Sequence, residues 1–179
     1  MSRPAIGLTL VVAGVGLILD QATKAIARGS LQPGDQFPVF GDLLSLTLIY
    51  NPGAAFSLAS GSTWILTVLA VLATGATIWF ATRLRGVWWA IALGLILGGT
   101  VGNLIDRLTN PPSFGQGYVT DFIAYGDLFV GNVADILLVA GFAMTGLIIL
   151  RTSRHPVSDT AGEDLNNLAD ADRSREVPQ

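Results

Sequence analysis

Residues 87–107 read VWWAIALGLILGGTVGNLIDR. From Val87 to Ile105 the run is long and apolar enough to cross a hydrocarbon core roughly 30 Å thick, which takes about 20 residues of helix. Its last turn carries Asn103, and Asp106 and Arg107 follow at once. Ionisable groups at membrane depth are costly and by default mark function, so this span does more than anchor the chain.

Outward from it stand three more runs of the same kind: Ala5–Ala27, Thr63–Ala81 and Val133–Leu150. In lipid a segment must satisfy its own backbone, so each is expected to be helical. The fold class expected is an all-α membrane protein of four transmembrane helices with a small extracytoplasmic β-containing cap. The first run is preceded only by Arg3 and ends in Asp20-Gln21-Ala22-Thr23-Lys24 rather than in a small-residue cleavage site, so it reads as a retained span. With the N-terminus inside, Arg3, Arg83, Arg85, Arg151 and Arg154 fall on the cytoplasmic side against Lys24, Arg28 and Arg107 outside. That bias predicts cytoplasmic N- and C-termini. Residues 32–60 then form the outer cap. Within it Leu44, Leu46, Leu48 and Tyr50 alternate with Leu43, Ser45, Thr47 and Ile49, the period of a strand, between turn signals at Pro33-Gly34 and Asn51-Pro52-Gly53. A partly amphipathic sheet at the membrane surface is expected.

The composition agrees. Hydrophobic residues make up 51% and charged residues 13% of 179, about half the charge usual in a soluble domain. Residues 1–154, the membrane domain, hold eight basic and seven acidic side chains. Residues 155–179 hold two basic and six acidic, which accounts for the net −3. This acidic tail, without aromatics, reads as a disordered cytoplasmic extension. No basic patch suggests nucleic acid. There is no cysteine, and the one histidine, His155, lies in the tail, so thiolate nucleophiles, His-based triads and multi-His metal sites are excluded. No cofactor is expected, and a monomer is.

Carboxylates remain. Asp20 stands near the end of the first span, Asp106 ends the third, Asp121 lies between the third and fourth, and Asp135 is in the first turn of the fourth. The topology puts all four on the outer side. Two close carboxylates share a proton, so one can activate water while the other polarises a carbonyl. Other roles are open to each: a helix cap for Asp135, a turn for Asp121, an ion pair with Arg107 for Asp106, an i,i+4 pair with Lys24 for Asp20. Asp35, Asp42 and Asp127 read as surface loop residues. Hydropathy and charge do not choose which two acids form a dyad. A small proton-coupled transporter could also use intramembrane acids, though a relay needs them at several depths and these share one face.

Five strings narrow the choice: Asp20-Gln21-Ala22-Thr23-Lys24, Asn51-Pro52-Gly53-Ala54-Ala55-Phe56, Gly102-Asn103-Leu104-Ile105-Asp106-Arg107, Val119-Thr120-Asp121-Phe122 and Asn132-Val133-Ala134-Asp135. In that order, at the outer ends of four spans, they resemble the lipoprotein signal peptidases (signal peptidase II), over about residues 5–150. The resemblance implies a membrane-embedded aspartic endopeptidase of the bacterial cell membrane. It would remove the signal peptide of prolipoproteins on the N-terminal side of a lipid-modified cysteine, with prolipoproteins and membrane lipid as its partners. It implies that Asp121 and Asp135 are the catalytic pair and that Asp106 with Arg107 supports them. Asn51, Asn103, Arg107 and Asn132 would hold the substrate backbone. Gly53 would let substrate lie against the chain, and Asp20 and Lys24 would be structural or substrate-positioning. The chain departs from the family at Gly131, where an aromatic is usual, and at Ile136, where a small or hydroxyl residue is common. Gly98, Gly99 and Gly102 are expected to let helices approach closely.

Overall fold

The computed structural model describes residues 6–53 and 63–153. Ala54, Ala55 and Phe56 of the second string, and the tail 155–179, lie outside the described residues. Four helices account for the four apolar runs: α1 (Ile6–Ser30), α2 (Thr63–Arg83), α3 (Val87–Thr109) and α4 (Val133–Ser153). All four are long and apolar enough to cross a membrane. Each runs past its apolar stretch through polar residues, as α3 does through Asp106–Thr109. The chain divides into two units, Met1–Gly146 and Leu147–Gln179. Of the second, 147–153 are described, as helix.

Helix α3 is central in the larger unit and packs against both α1 and α2. Its glycines explain how. A Cβ built on Gly94 would lie 2.7 Å from Val12 Cβ, one on Gly98 2.9 Å from the Ala13 carbonyl oxygen, and one on Gly99 2.6 Å from the Ala134 carbonyl oxygen. Real side chains do not approach that closely, so α1 and α4 rest on bare backbone of α3, the small-residue packing common between helices in lipid. Helix α4 returns the fit: Gly141 sits where a Cβ would be 3.0 Å from the Ala92 carbonyl oxygen. On α1 the buried residues are Thr9, Ala13, Gly16, Asp20, Lys24 and Ala27. This single stripe at helical spacing is small at one end and ionic at the other. Outward-facing Val11, Ile18, Trp64, Leu72, Val139 and Phe142 are exposed in the protein alone, as lipid-facing residues must be.

The cap is larger than the alternating stretch foretold. Strand β2 (Leu44–Asn51) lies over the expected segment and pairs with β1 (Phe37–Phe40). Its other edge pairs antiparallel with β3 (Val119–Tyr125), which carries β4 (Phe129–Gly131), giving the order β1-β2-β3-β4. The expectation that the sheet lies within 32–60 is thus corrected: half its strands come from between α3 and α4. Asp121 is no turn residue but the third residue of β3. The α3–β3 connection is tied down locally. Asn110 Nδ2 donates to the Tyr118 carbonyl at 2.8 Å, Thr67 Oγ1 of α2 donates to the Gly115 carbonyl at 2.7 Å, and Gly117 N donates to the Arg107 carbonyl at 2.9 Å. Gly117 lies against carbonyl oxygens at the end of α3, where a Cβ would be 2.7 Å from that of Asn110, so only glycine fits there.

Candidate active site

The fold puts Asp121 on β3 and Asp135 in the first turn of α4, and one residue joins them. Asn132 precedes α4 and caps it: its Oδ1 accepts the Asp135 backbone N–H at 3.1 Å, and Asp135 Oδ2 accepts the Asn132 backbone N–H at 3.0 Å. This is the reciprocal bonding of a capping box. The Asn132 side-chain amide then turns to β3 and donates to Asp121 Oδ1 at 2.6 Å. Asn132 is fully buried, so the geometry of both carboxylates hangs on it.

Each acid has a second amide donor. Asp121 pairs across the sheet with Ile49, which brings Asn51, two residues on, to the same face; its Nδ2 donates to Asp121 Oδ2 at 2.8 Å. Asn51 Oδ1 in turn accepts the Gly53 N–H at 2.8 Å in an Asx turn. Gly53 has φ 108°, a conformation that explains the glycine. Asn103 of α3 donates its Nδ2 to Asp135 Oδ1 at 3.0 Å.

Burial dominates the Asp121 carboxyl and pushes it up to about 6. The Asn51 hydrogen bond opposes this, the Asp135 charge adds to it, and Asn132 and Lys24 pull it back. An acid so placed holds a proton at pH values where ordinary carboxyls have lost theirs.

Behind the pair lies a buried ionic knot. Lys24 Nζ is 2.9 Å from Asp20 Oδ2, 3.0 Å from Asp106 Oδ2 and 2.9 Å from Asn103 Oδ1. The i,i+4 pairing of Asp20 with Lys24 is present. The expected Asp106–Arg107 ion pair is not: among the described residues Asp106 is bonded to Lys24 and accepts the Thr120 N–H at 2.9 Å, with Arg28 Nη1 3.9 Å from its other oxygen. Successive residues on a helix face different directions, so Asp106 turns to α1 and β3 while Arg107 turns elsewhere. Among the described residues, Arg107 Nη1 is buried without a hydrogen-bond partner. Asp20 also reaches α4, where its Oδ1 accepts the Ala134 N–H at 2.9 Å.

All ten candidate residues are therefore accounted for. Asp20, Lys24, Asn51, Asn103, Asp106, Asp121, Asn132 and Asp135 form one hydrogen-bonded cluster at one end of the helices. Gly53 adjoins it through Asn51, and Arg107 neighbours it, without a side-chain hydrogen bond among the described residues. Three further residues join it. Gln21 donates to Asp20 Oδ2 and to the Gly102 carbonyl, both at 3.1 Å, and Arg28 donates to Thr120 Oγ1 at 3.1 Å. Gln21 and Thr120 stand inside the quoted strings, and Arg28 lies one helical turn after Lys24, the signal that could have found it. Gly131 has a physical reason: a Cβ there would be 2.9 Å from Asp135 Oδ2 and 3.4 Å from the Phe129 ring, which stacks on Tyr125 at 4.7 Å. Ile136 is exposed. Among the described residues the buried acids all lie at this one end, where a transmembrane proton relay would need them at several depths.

Comparison with known proteins agrees with the geometry. Residues 12–151 match the family model described as signal peptidase (SPase) II. A lipoprotein signal peptidase of Leifsonia xyli subsp. xyli is 45% identical over 86% of this chain and 71% of its own. Those of Rhodococcus jostii and Mycobacterium avium are 44% and 46% identical over 80% and 75% of this chain, and 72% and 74% of theirs. Among solved structures, a bacterial membrane enzyme determined in meso at 2.3 Å superposes with a TM-score of 0.78 at 26% identity, covering 88% of this chain and 96% of that one. A second, at 1.9 Å, gives 0.74 at 28% identity over 83% and 96%. The chain is a multi-pass bacterial membrane protein and belongs to the signal peptidase II family.

Proposed function

We propose that this peptidase is of the aspartic type, with Asp121 and Asp135 as the catalytic pair that removes signal peptides from prolipoproteins next to their lipid-modified cysteine. The observation that carries this reading is Asn132, which donates to both carboxylates, through its side chain to one and its backbone to the other. Two acids held by one residue, one of them pushed to about 6 by burial, suit a pair that shares a proton. The charged member takes a proton from water as the water oxygen attacks the scissile carbonyl. The neutral member gives its proton to the carbonyl oxygen, and collapse of the tetrahedral intermediate passes a proton to the leaving amine. The unpartnered Nη1 of Arg107 supports a role as donor to a substrate carbonyl. Asn51 and Gly53 sit where extended substrate could pass β2.

The Lys/Arg bias supports an orientation with both termini cytoplasmic and the site at the outer face. Phe40, Leu43, Leu128 and Phe129 are exposed at the hairpin turns of the cap, which suits a cap resting on the membrane where a lipidated substrate arrives.

The test is cleavage of a diacylglyceryl-modified prolipoprotein by purified protein, read by gel shift. Asp121→Asn and Asp135→Asn keep size but cannot act as carboxylates. Each is expected to fold and to lose at least about 10²–10⁴-fold in rate. Cleavage by either at the wild-type rate would remove that residue from the pair.

A further inference from the structure

Among the described residues Lys24 is the largest side chain with no solvent exposure at all, and nothing in the reaction just described uses it. Its ammonium has three N–H donors and no acceptor, and it meets three oxygens, of Asp20, Asp106 and Asn103, at 2.9–3.0 Å. The third contact differs from the other two. A carboxylate looks the same from either oxygen, but a carboxamide has an acceptor end and a donor end. With Oδ1 of Asn103 held toward α1 by a cation, Nδ2 must face the other way, where it donates to Asp135 Oδ1 at 3.0 Å. Asn132 Nδ2 gives one N–H to Asp121 at 2.6 Å and its other to Asn103 Oδ1 at 3.2 Å, a longer and uncharged contact beside the Lys24 ammonium at 2.9 Å, so Lys24 is the stronger director.

We propose that Lys24 is a positioning residue for the cleavage reaction, acting through Asn103: it fixes the side-chain amide so that Asn103 can only donate to Asp135. This rests on the reading of Asp121 and Asp135 as the pair. Without Lys24 the amide can turn over and present Oδ1 to Asp135. Two acceptors then face each other, and only a proton on Asp135 relieves them. The proton the pair shares is thereby drawn to the Asn103 side, out of the position from which it serves the reaction. The charged groups facing this corner are Asp20 and Arg28 from α1, Asp106 and Arg107 from α3, and Asp121 from β3.

The experiment compares pH–rate profiles of the full chain in detergent on diacylglyceryl-modified prolipoprotein. Lys24→Met alone would leave Asp20 and Asp106 buried without their cation. The double variant Asp20→Asn with Lys24→Met instead keeps the net charge of the three residues at −1, and Asn at position 20 keeps an oxygen for the Ala134 N–H. We expect this variant to fold, to keep KM within about twofold while kcat falls about tenfold or more, and to move the acid limb up by about one pH unit. The companion, Asp20→Asn with Lys24→Gln, has the same charge but regains an N–H donor toward Asn103, and its acid limb should return toward wild type. The proposal is overturned by a Met variant with lowered kcat and an unmoved profile, by Met and Gln variants that behave alike, or by failure of both to fold, which would give Lys24 a role in folding only. Asp121→Asn and Asp135→Asn run in parallel: full activity in either refutes the catalytic pair itself, whatever Lys24 does.

Discussion

At 2% exposure on β3, the Asp121 carboxyl is held against its own chemistry. Unfolded, it would ionise near 3.8; folded, burial moves that to about 6. The folded state therefore binds the proton more tightly. Below about pH 4 both states hold it. Between about 4 and 6 only the folded state does, so stability falls as pH rises through that window, and above it the loss is complete. Asp121→Asn removes this cost. The variant is expected to melt higher than wild type at pH 8, by about 2–4 °C for each kcal/mol recovered, and the gain should shrink at pH 4. A thermal shift series across pH checks it; an equal or lower melting point at pH 8 would mean that lost hydrogen bonds to Asn51 and Asn132 outweigh the relief. Residue roles were only partly legible in sequence. Hydropathy placed Asp20, Asp106, Asp121 and Asp135 at one end of the spans, and the motif order singled out two of them. The partner of Asp106 was not legible, because sequence adjacency suggested Arg107 while helix geometry sends the two side chains apart, leaving Asp106 to Lys24.

Among the elements, α3 sets the spacing. Gly102 is its decisive position, because a Cβ there would be 2.5 Å from Asp20 Oδ2 and 3.5 Å from Ala134 Cβ. Gly102→Ala is expected to cost about 1–3 kcal/mol through overpacking. It should also lower kcat, since the displaced Asp20 holds both Lys24 and the first turn of α4. Gly14→Ala, where a Cβ would meet nothing within 4 Å, is the matched control for melting temperature. The helices themselves were legible because long apolar runs have few other outcomes, and β2 because one side of it alternates. Strand β3 was not. Val119–Phe122 are all buried, so no alternation appears, and Asp121 within it speaks against a strand on propensity alone. It forms because β2 offers an open edge and because the Thr120 N–H finds Asp106.

For the molecule as a whole, solvent is part of the fold. Phe142 of α4 is 61% exposed, a position no water-soluble protein of this composition could fill so often. Phe142→Arg is expected to raise the cost of inserting α4 by about 3 kcal/mol. The measurement is the fraction of chain recovered in the membrane after extraction of peripheral protein. Normal recovery would imply that this face of α4 borders water or another protein rather than lipid.

The sheet that carries Asp121 is stitched from two distant stretches: the Asn51 and Asp121 that bond across it are 70 residues apart, and Asp135 comes later still. While the ribosome has delivered only the first three spans, β2 has no β3 beside it and neither acid has arrived. If Asp121 and Asp135 are the proposed pair, a nascent chain is thus a harmless guest in the translocon, and the enzyme becomes competent only after its last helix has been released into the bilayer.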